Sequence, residues 1–176
     1  MKKNQKGFSL IELLIVVAII LIIAAIAIPN LLRAKIAANQ ASAVGSLRTM
    51  SSAEETFSST YSDGYTLTLA QLGGAAGAVA TCANGELVDE VLSTAPNQKS
   101  GYTFTFTPTA PVALTAGVPK GCAASGDVGF SISATPVSAS TGTSSYCVDE
   151  SGVIRVNPLG TLIAPTCSKS GFTPLQ

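Results

Sequence analysis

One uninterrupted apolar run near the N-terminus constrains this chain most. From Phe8 to Ile28 the sequence is apolar except for Ser9 and a single carboxylate, Glu12. That length, about 20 residues, is what a helix needs to cross a bilayer. A charged side chain inside a membrane helix costs on the order of 2.5–3.5 kcal/mol on insertion scales. An ionisable group kept at that cost indicates a function, so Glu12 is the first candidate functional residue.

The flanks of this run distinguish it from an ordinary secretory signal. Three lysines precede Gly7, and such a basic leader predicts a cytoplasmic N-terminus with the rest of the chain across the membrane. An ordinary signal has a shorter apolar stretch followed by a small-residue cleavage site. Here Pro29 and a polar, helix-forming sequence stand at that place. A plain signal anchor fits the hydropathy but gives no reason for Glu12.

The helical pattern resumes after Pro29 and continues to a stop signal at Ser62-Asp63-Gly64. We therefore predict one helix from Phe8 to about Thr60, kinked near Pro29 and roughly 80 Å long at 1.5 Å per residue. Its second half is amphipathic. The apolar stripe comprises Leu31, Leu32, Ile36, Val44, Leu47, Met50, Phe57 and Tyr61, and the other faces carry Arg33, Lys35, Asn39, Arg48, Glu54 and Glu55.

Strand signals begin after a connector at residues 62–100. Within the connector, TLTLAQL predicts a short strand or turn and ELVDEVL a short helix. Alternation of apolar and polar residues then predicts strands at YTFTFTP and GFSISATP, and two more flanking the turn at residues 149–152. The apolar face of this sheet is predicted to hold Tyr102, Phe104, Phe106, Phe130, Ile132, and Val153 or Ile154.

These patterns predict an α+β fold, in which the long N-terminal helix packs on a small antiparallel sheet of about four strands. The predicted organisation is a leader at residues 1–7, the helix at 8–61 with its first half (8–30) apolar, the connector at 62–100, and a sheet region at 101–176. We expect the tail from Pro158 onward to be irregular and tied down by a disulfide.

Composition excludes several kinds of chemistry. The chain has no histidine, equal numbers of acidic and basic residues, and no catalytic constellation, so we predict neither an enzyme nor a cofactor nor specific nucleic-acid binding. Asp127, Asp149 and Glu150 are too sparse for a calcium site, and a solvated turn is the better interpretation of the last two. We therefore predict no metal site.

Four widely spaced cysteines without a CxxC motif favour two disulfides and an oxidising compartment over a zinc site. Three connectivities are open. We favour Cys147 with Cys167, which joins the tail to a hairpin strand, and Cys82 with Cys122, which joins the connector to the sheet.

The stretch Lys6-Gly7-Phe8-Ser9-Leu10-Ile11-Glu12-Leu13 resembles the prepilin cleavage and methylation motif of type IV pilins and of the related pseudopilins of type II secretion systems. The resemblance is strong from Lys6 to Arg33 and weaker in the sheet region. It implies the type IV pilin fold. It also implies that a prepilin peptidase cuts after Gly7 and methylates the amine of Phe8.

The resemblance further implies that Glu12 faces the amine of Phe8 on a neighbouring subunit, which fixes the register of assembly. Pro29 matches the family's proline, near which the helix unwinds in assembled pili. The family often has a glycine seven or eight residues before that proline. This chain has Leu21 there, which predicts less unwinding because glycine weakens a helix by about 1 kcal/mol relative to alanine.

By this resemblance the chain is expected to be a structural subunit of a type IV pilus, acting in adhesion, twitching motility or DNA uptake. A type II secretion pseudopilin is the alternative, and a membrane-anchored domain that merely uses the leader is a third. The expected partners are copies of itself, the prepilin peptidase, the inner membrane and its pilus assembly machinery. The precursor would sit in the inner membrane with its C-terminal domain in the periplasm, and the assembled filament would be extracellular.

Overall fold

The computed structural model describes residues 8–61, 64–74, 77, 79–113, 122, 125–160, 167 and 172–175. The predicted leader at residues 1–7, including Gly7, and the Ser62-Asp63 part of the stop signal lie outside these residues. The chain divides into two compact units, Met1–Lys35 and Ile36–Gln176. The second unit contains the sheet and the half of the helix that packs on it.

The described residues form a long helix, two single-turn helices and eight short strands. In chain order these are α1 (Leu10–Tyr61), α2 (Leu69–Leu72), α3 (Glu90–Ser93), β1 (Gln98–Lys99), β2 (Tyr102–Pro108), β3 (Pro111–Ala113), β4 (Ser125–Asp127), β5 (Phe130–Pro136), β6 (Ser145–Asp149), β7 (Arg155–Asn157) and β8 (Thr173–Pro174). A long helix packed on an antiparallel sheet confirms the predicted α+β fold.

Helix α1 is continuous over 52 residues, with Pro29 inside it. It begins at Leu10 rather than at Phe8, because Ser9 is the residue at which the helical hydrogen bonding starts. The backbone carbonyl of Ser9 accepts from the amide of Leu13 at 3.2 Å, and this is the first helical bond. Pro29 therefore does not end the helix, although it removes one backbone donor.

The second half of α1 buries a stripe that recurs every three or four residues, as a helix packed on a sheet requires. Leu47, Met50 and Phe57 were predicted in this stripe and are buried. Glu54 was predicted on a polar face and is fully buried, so that prediction was wrong. The physical reason is a pair of hydrogen bonds from Thr66, described below. The complete set is Ala43, Ser46, Leu47, Met50, Ala53, Glu54 and Phe57.

The main sheet has six antiparallel strands in the order β1-β2-β5-β6-β7-β8. The four predicted strands are its centre, β2, β5, β6 and β7. The prediction missed β1 and β8, which have two residues each and so carry no readable alternation. It also missed the separate two-stranded sheet of β3 and β4, which lies between the predicted strands YTFTFTP and GFSISATP.

The predicted apolar face of the sheet is largely buried. Phe104 faces Ala134 across the ladder, and Phe106 faces Ile132. Phe106 is only half-buried, at the point where β2 leaves the centre of the core. Of the two alternatives near the hairpin, Ile154 is the buried one and Val153 is 40 % exposed.

The turn between β6 and β7 follows its sequence signal. Gly152 has a positive φ of 68°, which glycine adopts without strain. Its amide donates to the carbonyl of Asp149 at 2.9 Å, and this bond closes the predicted turn. The two strands then pair antiparallel from Ser145 opposite Asn157.

The connector holds two short helices, each fixed by a side chain near its start. Leu69–Leu72 is helical where a strand or turn was predicted. The side-chain oxygen of Gln71 accepts from the backbone amides of Leu67 and Thr68, at 2.7 and 3.1 Å, and so satisfies donors that precede the helix. Asp89 accepts from the amide of Leu92 at 3.0 Å, and its capping confines the second helix to Glu90–Ser93.

Candidate functional site

The first unit presents an apolar helix surface. Every large apolar side chain from Phe8 to Leu32 is exposed, by 43 to 78 %. Within the described residues, α1 is the one helix long and apolar enough to cross a membrane. Burying a single Leu, Ile or Phe side chain is worth about 1.5–3 kcal/mol. A helix that is apolar on all sides therefore requires a nonaqueous environment, either lipid or other protein.

Glu12 caps the first turn of this helix. One of its carboxylate oxygens, Oε2, accepts from the backbone amide of Ser9 at 2.9 Å. Ser9 and Glu12 thus form one half of a Ser-x-x-Glu capping box. This pattern is readable in the sequence, although it was not among the features used above to single out Glu12. A carboxylate also interacts favourably with the positive end of the helix dipole.

Self-capping leaves Glu12 with unused acceptor capacity. A carboxylate offers two oxygens and about four lone-pair sites, and the bond from Ser9 occupies one of them. The side chain is exposed in the single chain, so a donor from outside can reach it. Phe8 is 78 % exposed and precedes the capped turn. The structure therefore brings Phe8, Ser9 and Glu12 together at the helix start, whereas Gly7 lies outside the described residues.

The cysteines lie in the second unit and are joined in two pairs. Cys82 is bonded to Cys122 across a sequence separation of 40, with a Cα–Cα distance of 4.9 Å. Cys147 in β6 is bonded to Cys167 across a separation of 20, with a Cα–Cα distance of 5.6 Å. The hydroxyl of Ser131 in the adjacent strand lies 3.5 and 3.3 Å from the sulfurs of the second pair. This bridge therefore attaches the tail to the sheet.

The acidic residues that were considered for a calcium site have separate partners. Asp149 pairs with Arg155 and accepts from Ser151, within its own hairpin. Asp127 accepts from the backbone amides of Ala110 and Gly129, at 2.8 and 3.2 Å. In the part of the chain that the structure describes, no group of three or more His, Cys, Asp or Glu side chains could hold a metal ion.

A surface hollow of about 500 Å³ lies between the connector and β2. Its lining is aliphatic, aromatic, hydroxyl-bearing and amide side chains, without a charged group. A hollow of this kind offers neither a general acid nor a general base.

Comparisons with known proteins match a part of the chain. Residues 2–28 match the family model of the prokaryotic N-terminal methylation motif. Over 37 residues the chain is 68 % identical to the type IV wide pilus major component PilA4 of Thermus thermophilus, a match that covers 21 % of this chain and 28 % of that protein. Over 54 residues it is 48 % identical to the type IV major pilin protein PilA of Myxococcus xanthus, covering 31 % of this chain and 24 % of that one.

No solved structure matches the chain. The matches to these two curated relatives span about a quarter of the relatives' own length, and the larger part of the second unit lies outside them.

Proposed function

We propose that this chain, a member of the type IV pilin superfamily by its N-terminal methylation motif, is the structural subunit of a type IV pilus. The observation that carries the proposal is the motif at residues 2–28, together with a helix that begins within it and exposes every large apolar side chain up to Leu32. The two relatives are named as major components of type IV pili, which supports the pilus assignment. The role is structural rather than enzymatic.

Processing comes first. The lysine-rich leader holds the N-terminus in the cytoplasm, and the helix that follows anchors the precursor in the inner membrane. A prepilin peptidase cuts between Gly7 and Phe8, where glycine presents no side chain to the peptidase, and the new amine of Phe8 is methylated. The second unit lies in the periplasm at this stage.

Assembly then moves the helix from lipid into a filament of identical subunits. Lipid tails are as apolar as the side chains of other subunits, so this transfer brings little net hydrophobic gain. Packing and polar pairing must supply the preference for the filament. Glu12 can provide the polar part, because its costly carboxylate gains an opposite charge when it meets the amine of a neighbouring Phe8.

The same pair fixes the axial register. Glu12 keeps its bond to Ser9 through Oε2, and its remaining lone pairs accept from the neighbour's amine. A shift along the helix by one turn, about 5.4 Å, would separate the two groups and leave both charges unpaired in an apolar medium. Only one stagger therefore satisfies them.

The experiment that tests this function is electron microscopy of filaments sheared from the cell surface, with mass spectrometry of their main subunit. The proposal predicts long fibres whose subunit starts at methylated Phe8. A Gly7→Val variant, which blocks the cut, should abolish the fibres and accumulate as precursor in the membrane. Deletion of the gene then separates adhesion, twitching motility and DNA uptake by phenotype.

A processed subunit that is found only in the envelope, without surface fibres, would contradict the pilus assignment and favour a type II secretion pseudopilin. A full-length, uncut chain in the membrane would contradict both assignments, since each depends on processing at Gly7.

A further inference from the structure

Helix α1 has a second carboxylate, after Glu12, that departs from the pattern of its surroundings. This residue, Glu54, lies in the core of the domain. Glu54 has no exposed surface, and neither does Thr66, its partner from the connector. The amide of Thr66 donates to Oε2 of Glu54 at 3.0 Å, and the hydroxyl of Thr66 donates to Oε1 at 2.6 Å. One connector residue thus binds both oxygens of a carboxylate on the long helix.

A third element, β4, is bonded to the connector at Tyr65, the residue before Thr66. The backbones of Tyr65 and Asp127 exchange two hydrogen bonds, of 2.9 and 3.1 Å. The side chain of Asp127 is 2 % exposed, and its Oδ1 accepts from two backbone amides. Its Oδ2 is buried and has no hydrogen-bond partner among the described residues. Glu54 of α1 and Asp127 of β4 are therefore both buried and are bonded to adjacent residues of the connector.

The charges that act on Glu54 come from Glu55 and Asp127, and both are negative. Glu55 follows it on α1 and accepts from the hydroxyl of Tyr65 at 3.0 Å. The negative charge of Asp127, on β4, raises the pKa of Glu54. The negative charge of Glu150, in the turn after β6, raises the pKa of Tyr65. The two ion pairs of the described residues join Lys99 to Asp89 and Arg155 to Asp149, and neither includes Glu54 or Asp127.

This surrounding favours the protonated form of Glu54. The pKa of Glu54 is raised from its ordinary value of 4.5 to about 7, mainly by burial. The two bonds from Thr66 oppose the rise, and the negative charges of Asp127 and Glu55 contribute to it. A threonine hydroxyl can donate or accept, so it can bond to either protonation state of Glu54. The contact between Glu54 and Thr66 is therefore compatible with both the protonated and the charged form of Glu54.

We propose that Glu54, Thr66 and Asp127 form a proton-dependent latch, which holds the connector and β4 on helix α1 while Glu54 is protonated and loosens when Glu54 is charged. The latch does not depend on pilus assembly, because all three residues belong to the second unit of a single chain. It would set how firmly the connector is fixed to the domain at acidic and at alkaline pH.

The direction of the effect follows from linkage. Between pH 4.5 and about 7 the folded protein holds the proton of Glu54 while the unfolded chain has released it. Stability therefore falls as the pH rises through that interval and becomes level above it. Local opening of the latch should follow the same sign.

Amide hydrogen exchange of the full chain in detergent micelles tests the latch, with each rate divided by its intrinsic rate at the same pH. In the wild-type chain, protection of the Thr66 amide should fall by at least about tenfold between pH 5.5 and 8.5, the factor that corresponds to one pKa unit. The E54Q variant should show protection that does not change with pH. The control E90Q changes an exposed carboxylate on α3, outside the latch, and should behave like the wild type.

A pH dependence that survives in E54Q, or flat protection in the wild type, would overturn the proposal. A second measurement decides the matter if E54Q does not fold. The carboxyl ¹³C shift of Glu54 in the wild-type chain should titrate near pH 7, and D127N should move that midpoint to lower pH. A midpoint near 4.5, or one that D127N leaves unchanged, would also overturn it.

Discussion

The exposure of the two halves of helix α1 is the reverse of what their composition suggests, because the more apolar half is the more exposed one. The first half is almost wholly apolar, and its large side chains are exposed. The second half carries fewer apolar residues, yet it buries a regular stripe that includes Leu47, Met50 and Phe57. The second half therefore stabilises the domain, whereas the first half keeps an apolar surface that its own chain does not bury.

Each half also contains one carboxylate that breaks its pattern. Glu12 is exposed and bonded only within its own first turn. Glu54 is buried and bonded on both oxygens by Thr66. An exposed carboxylate with open acceptor sites is suited to binding another subunit, whereas a buried one bonded at both oxygens is suited to holding the domain together.

The largest effect is expected at Glu12. The variant Glu12→Ala should still be cut and methylated, but sheared filament should fall at least about a hundredfold, since breaking a buried charge pair costs roughly 3–5 kcal/mol. Immunoblots of the sheared and membrane fractions measure this. The control Glu55→Ala changes an exposed carboxylate of the second half and should leave the yield near that of the wild type. Normal filament yield from Glu12→Ala would show that the first half assembles without this pair.

The next prediction compares how much each half of α1 contributes to the stability of the domain. Phe57 is 1 % exposed and its ring lies 4.8 Å from that of Tyr61. Phe57→Ala should lower the free energy of unfolding of the domain by about 3–5 kcal/mol, because it removes buried surface and leaves a cavity. Leu21→Ala, at a side chain 63 % exposed, should change it by less than about 0.5 kcal/mol. Denaturant titration of the full chain in micelles measures both, and equal losses would refute the distinction between the halves.

A somewhat smaller effect is expected from the bridges of the domain on which the second half packs. Removing the pair Cys82 and Cys122 by serine substitution should lower stability by about 2–4 kcal/mol. Non-reducing peptide mapping should recover Cys82 linked to Cys122 and Cys147 linked to Cys167. A peptide that links Cys82 to Cys147 would contradict the pairing in the structure.

The smallest effect is a gain. Gly45 lies inside the second half of α1, and a Cβ built there meets nothing within 4 Å. Gly45→Ala should therefore raise stability by about 0.5–1 kcal/mol, since glycine is the poorer helix former. A loss of stability in the same denaturant titration would mean that this face of the second half is more crowded than the structure shows.

Much of the fold could be predicted because its main elements have long, regular patterns. The helix, β2 at YTFTFTP and β5 at FSISATP all follow from periodicity. The two-residue strands and the β3–β4 ladder could not be predicted, because strands of two or three residues are too short to show an alternation. Helix α2 was mistaken for a strand or turn, since its capping glutamine was not recognised.

The residues of the candidate site could likewise be predicted only in part. Glu12 could be singled out because a carboxylate in an apolar run is conspicuous in sequence, and its capping pattern with Ser9 was also readable. Glu54 could not be singled out, because charged residues on an amphipathic helix normally face solvent. Its burial depends on Thr66, a partner beyond the end of the helix that no helical periodicity can identify.

A helical reconstruction of the purified filament by cryo-electron microscopy tests most directly whether the first half of α1 is the assembly surface. We predict that residues 8–28 of all subunits form the filament core. The amine of each Phe8 should then lie within about 4 Å of the Glu12 carboxylate of a neighbouring subunit, the limit for an ion pair. A map in which this segment faces solvent, or in which Glu12 meets only its own chain, would contradict that role for the first half.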